Sequence, residues 1–137
     1  MRIIGPDEMV FGVDDLAASR QFLVDYGLDE ESWDDTGGTF TACDKTAITI
    51  RARDDARLPA PLASGSTLRQ TVYGVEDAAS LDEIEAEMQK DRVVVRAADG
   101  SITFQDVVGF ELKFQLTRRI VLDMEPELIN SPGARPM

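Results

Sequence analysis

The 137-residue sequence contains no histidine at all, and that absence excludes more chemistry than any residue present suggests. Without histidine there is no Ser-His-Asp triad and no Cys-His nucleophile pair. His-bearing zinc sites and the two-histidine, one-carboxylate iron triad are excluded as well. Cysteine occurs once, as Cys43, so no internal disulfide can form. With no imidazole to lower its pKa, Cys43 reads as a small apolar residue ending a strand, expected in the core. Basic residues are scarce too: 14 Lys and Arg stand against 26 Asp and Glu, a net charge of -12. That balance disfavours nucleic acid, whose phosphates need Lys and Arg to displace counterions, and it disfavours an anionic membrane surface. A solvated acidic surface that maintains solubility is the simpler consequence. No apolar run approaches the roughly 18 residues of a membrane span. The opening MRIIGPDEMV lacks the apolar segment of a signal peptide, so a cytoplasmic location is expected.

What is present is ordinary in bulk and repetitive in detail. A hydrophobic share of 43% on this length suits one domain with its own core. The stretch MVFGVDDLAASRQFLVDYGL, Met9 to Leu28, carries a strand-like run through Gly-Val-Asp-Asp into a helical pattern. TVYGVEDAASLDEIEAEM, Thr71 to Met88, repeats it with Gly74 standing 62 positions after Gly12. Each copy is followed by short alternating runs broken by Gly and Asp, so the unit reads strand, helix and about three strands, twice.

Taken in order, residues 5–13 form a strand with Met9, Phe11 and Val13 on one face and Glu8, Val10 and Gly12 on the other. Asp14 or Asp15 caps a helix whose stripe is Leu16, Leu23 and Tyr26 with Phe22 beside it, and Gly27 closes it. Residues 30–34 form a weak strand around Trp33, an aromatic that suits a core more readily than a pocket wall. Asp35-Thr36-Gly37-Gly38 is a hairpin turn before a strand over 39–43. Residues 47–53 alternate Ile48, Ile50 and Ala52 against Thr49, Arg51 and Arg53. Residues 54–67, punctuated by Pro59 and Pro61, join the two units. The second copy has a strand over 68–75 and a helix with a Ser80/Glu83 capping box and the stripe Leu81, Ile84 and Met88. Strands follow at 93–96, 101–105 and 110–116, with Asp99-Gly100 a hairpin. Arg118-Arg119 and residues 120–122 extend a strand or begin the Pro-punctuated tail EPELINSPGARPM.

GVDDLAASRQFLVDYGL and VGFELKF, in this order and within a doubled pattern, resemble the vicinal oxygen chelate superfamily. That superfamily contains glyoxalase I, bleomycin- and fosfomycin-resistance proteins and extradiol ring-cleaving dioxygenases. The resemblance implies an α+β fold: two tandem βαβββ units forming an open, barrel-like curved sheet with the helices outside. It covers residues 1–117, with units 1–55 and 67–117, linker 56–66, and 118–137 as tail or interdomain linker. Metal-binding members place ligands at positions that here fall on Glu8, Thr49, Gln70 and Lys113, with Glu111 in place of Lys113 if the register slips by two. Only Glu8 is a good ligand, and Lys113 brings a positive charge where a divalent ion would sit. No cofactor is therefore expected in this chain, and Lys113 is a candidate ion-pair partner for Glu8. The pocket-lining set is Glu8, Thr49, Arg51, Gln70, Glu111 and Lys113.

Three readings follow from the resemblance. The chain is a metal-free N-terminal domain of a two-domain dioxygenase-like protein whose Fe, Mn, Zn or Ni lies in a second domain of the same fold. Or it is a homodimer that sequesters a small molecule as bleomycin-resistance proteins do. Or it is a metal-dependent lyase or isomerase with Glu8 as base and Lys113 as electrophile.

Overall fold

Each Gly-Val-acid-Asp segment turns a strand into a helix through its second acid. The computed structural model describes residues 2–61 and 68–119. Strand β1 (Ile3–Val13) gives way to helix α1 (Leu16–Tyr26), whose N-cap Asp15 accepts from the Ala18 amide. Strand β5 (Leu68–Val75) likewise leads into α2 (Ala78–Met88), where the N-cap Asp77 accepts from the Ser80 amide. The cap of α2 is thus Asp77 and not Ser80, which is buried and whose Oγ accepts from the Arg2 amide at 2.9 Å. Gly27 ends α1 with a positive φ of 111°, a conformation that favours glycine.

The remaining strands are β2 (Asp29–Asp34), β3 (Gly37–Thr41), β4 (Ala47–Ala52), β6 (Val95–Arg96), β7 (Ile102–Gln105) and β8 (Glu111–Leu116). They form one open sheet in the order β2-β3-β4-β1-β5-β8-β7-β6. In each unit the last strand lies parallel to the first, β4 beside β1 and β8 beside β5. The units meet where β1 and β5 run antiparallel, which makes the sheet an approximate two-fold repeat about that seam. The fold is α+β with two βαβββ units, as the repeat implies.

Both helices lie on one face, and each covers its own core. Under α2, Val75, Leu81, Ile84, Ile102, Phe104 and Phe114 are buried together, with the Phe104 and Phe114 rings stacked at 5.5 Å. Under α1, Leu23, Phe40 and Ile50 are buried, with Phe11, Val13 and Trp33 packed against them. Trp33 is half-buried, edge-on to Phe40, with the Arg20 guanidinium 4.5 Å over its ring. Tyr26 leaves the expected stripe. It is 76% exposed and stacks on exposed Phe22, because it sits about 60° round the helix from buried Leu23.

Three turn regions differ from expectation for local reasons. Gly37 and Gly38 belong to β3, leaving only Asp35 and Thr36 between the strands. A Cβ on Gly37 would lie 2.0 Å from the Ile50 carbonyl oxygen, so glycine here serves close strand approach. Cys43 is exposed, not core: β3 ends at Thr41, and the Ala42 amide bonds the Thr46 carbonyl across a tight turn. The strand expected over 93–96 is reduced to Val95–Arg96 at the sheet edge. No helix among the described residues is long and apolar enough to cross a membrane.

The connector between the units is pinned by Arg69, only 5% exposed. Its Nη1 donates to the Pro59 carbonyl at 3.0 Å and its Nη2 to the Arg53 carbonyl at 2.7 Å. No carboxylate pairs with it among the described residues, so carbonyl dipoles alone offset its burial. The part of the connector at 62–67 lies outside the described residues. Arg69→Met leaves both carbonyls without this donor and is expected to cost about 1–3 kcal/mol. A lower urea midpoint at unchanged m-value would show it, and a midpoint within error of the parent would discard this role for Arg69.

Candidate functional site

Alternation along the strands sends the apolar set under the helices and a polar set to the opposite face. Glu8, Val10 and Gly12 of β1, Thr49 and Arg51 of β4, Gln70 and Val72 of β5, and Glu111 and Lys113 of β8 share that face. The register arranges them in two cross-strand rows. One runs Thr39, Thr49, Val10, Gln70, Glu111 and Gln105. The other runs Thr41, Ala47, Glu8, Val72, Lys113 and Thr103. Glu8 and Gln70 are equivalent across the seam, since Glu8 lies opposite Val72 and Gln70 opposite Val10.

Hydrogen bonds divide this face into two self-satisfied groups. Thr49 Oγ1 donates to Glu8 Oε2 at 2.5 Å. Its proton being used there, Thr49 accepts from the Thr39 hydroxyl at 2.8 Å. In the second unit Gln70 Nε2 donates to Glu111 Oε2. Both bonds span 41 residues of chain, so the contact pairs Thr49 with Glu111 as equivalents. The backbone register pairs Thr49 with Lys113 instead, because Thr49 faces Val10 and Lys113 faces Val72. The repeat is therefore exact in chain distance and offset by two residues in the sheet.

The cation beside Glu8 is Arg118, not Lys113. Lys113 shares a row with Glu8, but Val72 stands between them, two strand spacings or about 9.6 Å apart. Arg118 Nη1 lies 3.5 Å from Glu8 Oε1, and its Nη2 is 3.0 Å from Glu31 Oε1 on β2. β1 and β2 are three places apart in the sheet, so one guanidinium reaches both only because the sheet curves. Arg51 and Arg53 are not brought to this centre. Arg51 bonds Thr36 at the far end of β4, and Arg53 pairs with Asp14.

The residue missed at the level of sequence is Asp7, a carboxylate with no solvent exposure. A bulge in β1 between Pro6 and Glu8 turns it onto the polar face, over Gly74. There it accepts from the Thr117 hydroxyl at 2.9 Å, the Arg118 amide at 2.7 Å and Gln115 Nε2 at 3.3 Å. A Cβ on Gly74 would sit 2.5 Å from its oxygens, so the glycine makes room for the carboxylate. Nothing in the local pattern marks Asp7, since its partners lie more than 100 residues away. The Asp44 and Asp99 carboxyls are held below the usual range. Asp44 is lowered by the Thr46 hydroxyl and amide, with Arg119 adding a smaller pull. Asp99 is lowered by Ser101, with a smaller pull from Lys113.

This donor set does not fit a divalent cation. The Glu8 carboxylate is shared between Thr49 and a guanidinium, and Glu111 already accepts from Gln70. Among the described residues no group of three or more Asp, Glu or Cys converges on one point. Arg118 and Lys113 would both repel an ion placed on the seam.

No protein-family model matches the sequence, and no curated protein sequence matches it either. Solved structures do match in fold. An extradiol ring-cleaving dioxygenase from B.fuscum superposes with a TM-score of 0.69 at 21% identity, over 88% of this chain and 34% of that one. Homoprotocatechuate 2,3-dioxygenase from Arthrobacter globiformis gives 0.68 at 22% identity, over 88% and 38%. The Brevibacterium fuscum enzyme in complex with 3,4-dihydroxyphenylacetate gives 0.68 at 21%, over 88% and 39%. The chain thus has a vicinal oxygen chelate-like fold and spans between a third and two fifths of the dioxygenases it resembles.

The Arg118 assignment can be separated from the Lys113 one by double-mutant cycles. Glu8→Gln with Arg118→Met is expected to give a coupling of about 0.5–1 kcal/mol, the range of partly exposed pairs. Glu8→Gln with Lys113→Met is expected to be additive within about 0.3 kcal/mol. Urea denaturation measures both, and the reverse ordering would return Lys113 to the pair.

Proposed function

We propose that this chain is a scaffold domain of a dioxygenase-like protein, one whose catalytic metal is held by a second domain of the same fold. The observation that carries the reading is the internally hydrogen-bonded polar face. Of the positions that the resemblance assigns to a metal, Glu8 is bonded to Thr49 and Arg118, Gln70 is bonded to Glu111, and the fourth is the cation Lys113. Such a face holds its own polar groups in place and offers an incoming ion no free lone-pair cluster. The dioxygenases that share the fold are more than twice the length of this chain, which suits a domain that works beside another.

A self-contained enzyme is disfavoured by the same geometry. Glu8 as a base would have to give up both a hydroxyl donor and a guanidinium, and Lys113 stands two strands from it. Scaffold domains of this kind contribute surface and rigidity to the neighbour that performs the chemistry.

Titration of the chain with Fe(II), Mn(II), Zn(II) and Ni(II), followed by calorimetry, tests the reading. Binding weaker than about 1 mM is expected, a free energy of no more than about 4 kcal/mol. Saturable one-to-one binding in the micromolar range that is lost in Glu8→Gln would overturn it. The companion measurement is the mass of the native polypeptide, expected at no less than about twice the 15.1 kDa of this sequence.

A further inference from the structure

The two units can be laid on one another, because Asp15 and Asp77 cap their helices in the same way, 62 positions apart. By that spacing Ser19 answers to Leu81 and Phe22 to Ile84, while Phe11 and Val13 answer to Tyr73 and Val75. The sheet register agrees, since Phe11 lies opposite Ile50 and Tyr73 opposite Phe114. In the second unit these positions close a core: Leu81, Ile84 and Val75 are buried, and Tyr73 stacks on Phe114. In the first they leave a gap. Phe22 is 64% exposed, Ser19 is half-buried, and a groove of about 410 Å³ runs between α1 and the Phe11, Val13, Ile48 and Ile50 side chains.

The cause is the seating of the helix. α1 buries Leu23, whose counterpart Glu85 is only half-buried and pairs with Arg96. Neighbouring residues of a helix are about 100° apart, so the two helices turn faces one residue out of step toward the sheet. Seating Leu23 swings Phe22 outward, and Ser19 is too short to fill the place that Leu81 takes. Phe22 then stacks on exposed Tyr26, so an aromatic knob stands at the rim of an apolar hollow.

Exposed apolar surface of this kind marks an interaction site. One helix here carries both halves of a contact, hollow and knob, which is what an isologous two-fold interface requires. Charge selects the same surface. At -12 two copies repel, and they meet most readily where acid is sparse. Among the described residues no charged side chain lines this groove, whereas α2 exposes Asp82, Glu83 and Glu87.

We infer that α1 is a self-association surface: two copies pair about a two-fold axis, and Phe22 of each enters the groove beside Ser19 of the other. The interface uses the helix side of the first unit and none of the polar rows, so it does not rest on the scaffold reading.

Sedimentation equilibrium on the 137-residue chain reads the association directly. The parent is expected to pass from 15.1 kDa to twice that mass with a micromolar Kd, as suits a small interface. Pairing should tighten as NaCl is raised from about 0.05 to about 0.5 M, because salt screens the repulsion between acidic copies. Phe22→Asp removes the knob at an exposed site and should weaken pairing at least about tenfold, the loss of one buried apolar side chain. Ser19→Leu, which plugs the hollow as Leu81 does in the second unit, should weaken it by a similar factor. Val95→Asp, at the exposed β6 edge, should leave it unchanged. A parent still monomeric at about 0.5 mM would overturn the proposal and leave the groove to a different chain. A dimer that survives both α1 variants, falls apart with Val95→Asp or loosens with salt would overturn it too. The parent's mass and salt response decide the matter even if a variant fails to fold.

Discussion

The antiparallel seam between β1 and β5 is the constraint on which the rest of this molecule depends. It is where the two units join their strands into one sheet, and its register shifts at three points. The shift at Asp7 has the largest consequence. A bulge places two residues of one strand against one of its neighbour, so Asp7 and Glu8, adjacent in sequence, both serve the polar face. Asp7 is then buried over Gly74, and the cost of burying a carboxylate is offset only because the end of β8 brings three donors to it. The residues after β8 thereby become part of the domain: fixing Thr117 and the Arg118 amide on Asp7 aims Arg118 at Glu8 and Glu31 and Arg119 at Pro6.

That chain of contacts gives the polar face its electrical character. The protein carries a net charge of -12, yet Glu8, Glu31 and Asp7 are met by guanidinium groups from one short segment. The second unit solves the same problem without a cation, by an amide: Gln70 donates to Glu111. The two halves have thus diverged in chemistry while keeping one spacing of 41 residues between first and last strand. A face in which each acid has an internal partner is suited to holding shape, which is the basis for reading the chain as a scaffold.

Much of this was legible beforehand, and the misses have a common cause. The strand-helix openings were readable because capping and alternation are local: Asp15 sits three residues from the amide it caps, although in α2 the cap fell on Asp77 and not on the expected Ser80. The apolar face of β4 followed from period-two patterning, and Ile50 is buried as that patterning requires. Gln70 follows from Glu8 by counting from Gly74 and Gly12, because a repeat transfers position, whereas Thr49, Lys113 and the alternative Glu111 came from the family resemblance. The partner of Glu8 was not legible, because counting cannot say that Lys113 lies two strands off while Arg118 folds back across the sheet. Tyr26 was placed in the core by its helical spacing from Leu23 and Cys43 as the end of a strand, and both are exposed: Tyr26 sits about 60° round the helix from Leu23, and β3 ends at Thr41, before Cys43.

By itself the sequence determined the class of fold, the doubling of the unit, the exclusion of histidine chemistry and the face on which the polar residues lie. Each of these depends on residue type and on spacing within one element or one repeat. Only the tertiary structure decided which charges meet. Register, a single bulge and the path of three residues after β8 set distances across more than a hundred positions of chain, and an ion pair depends on that distance rather than on the order in which its members are encoded.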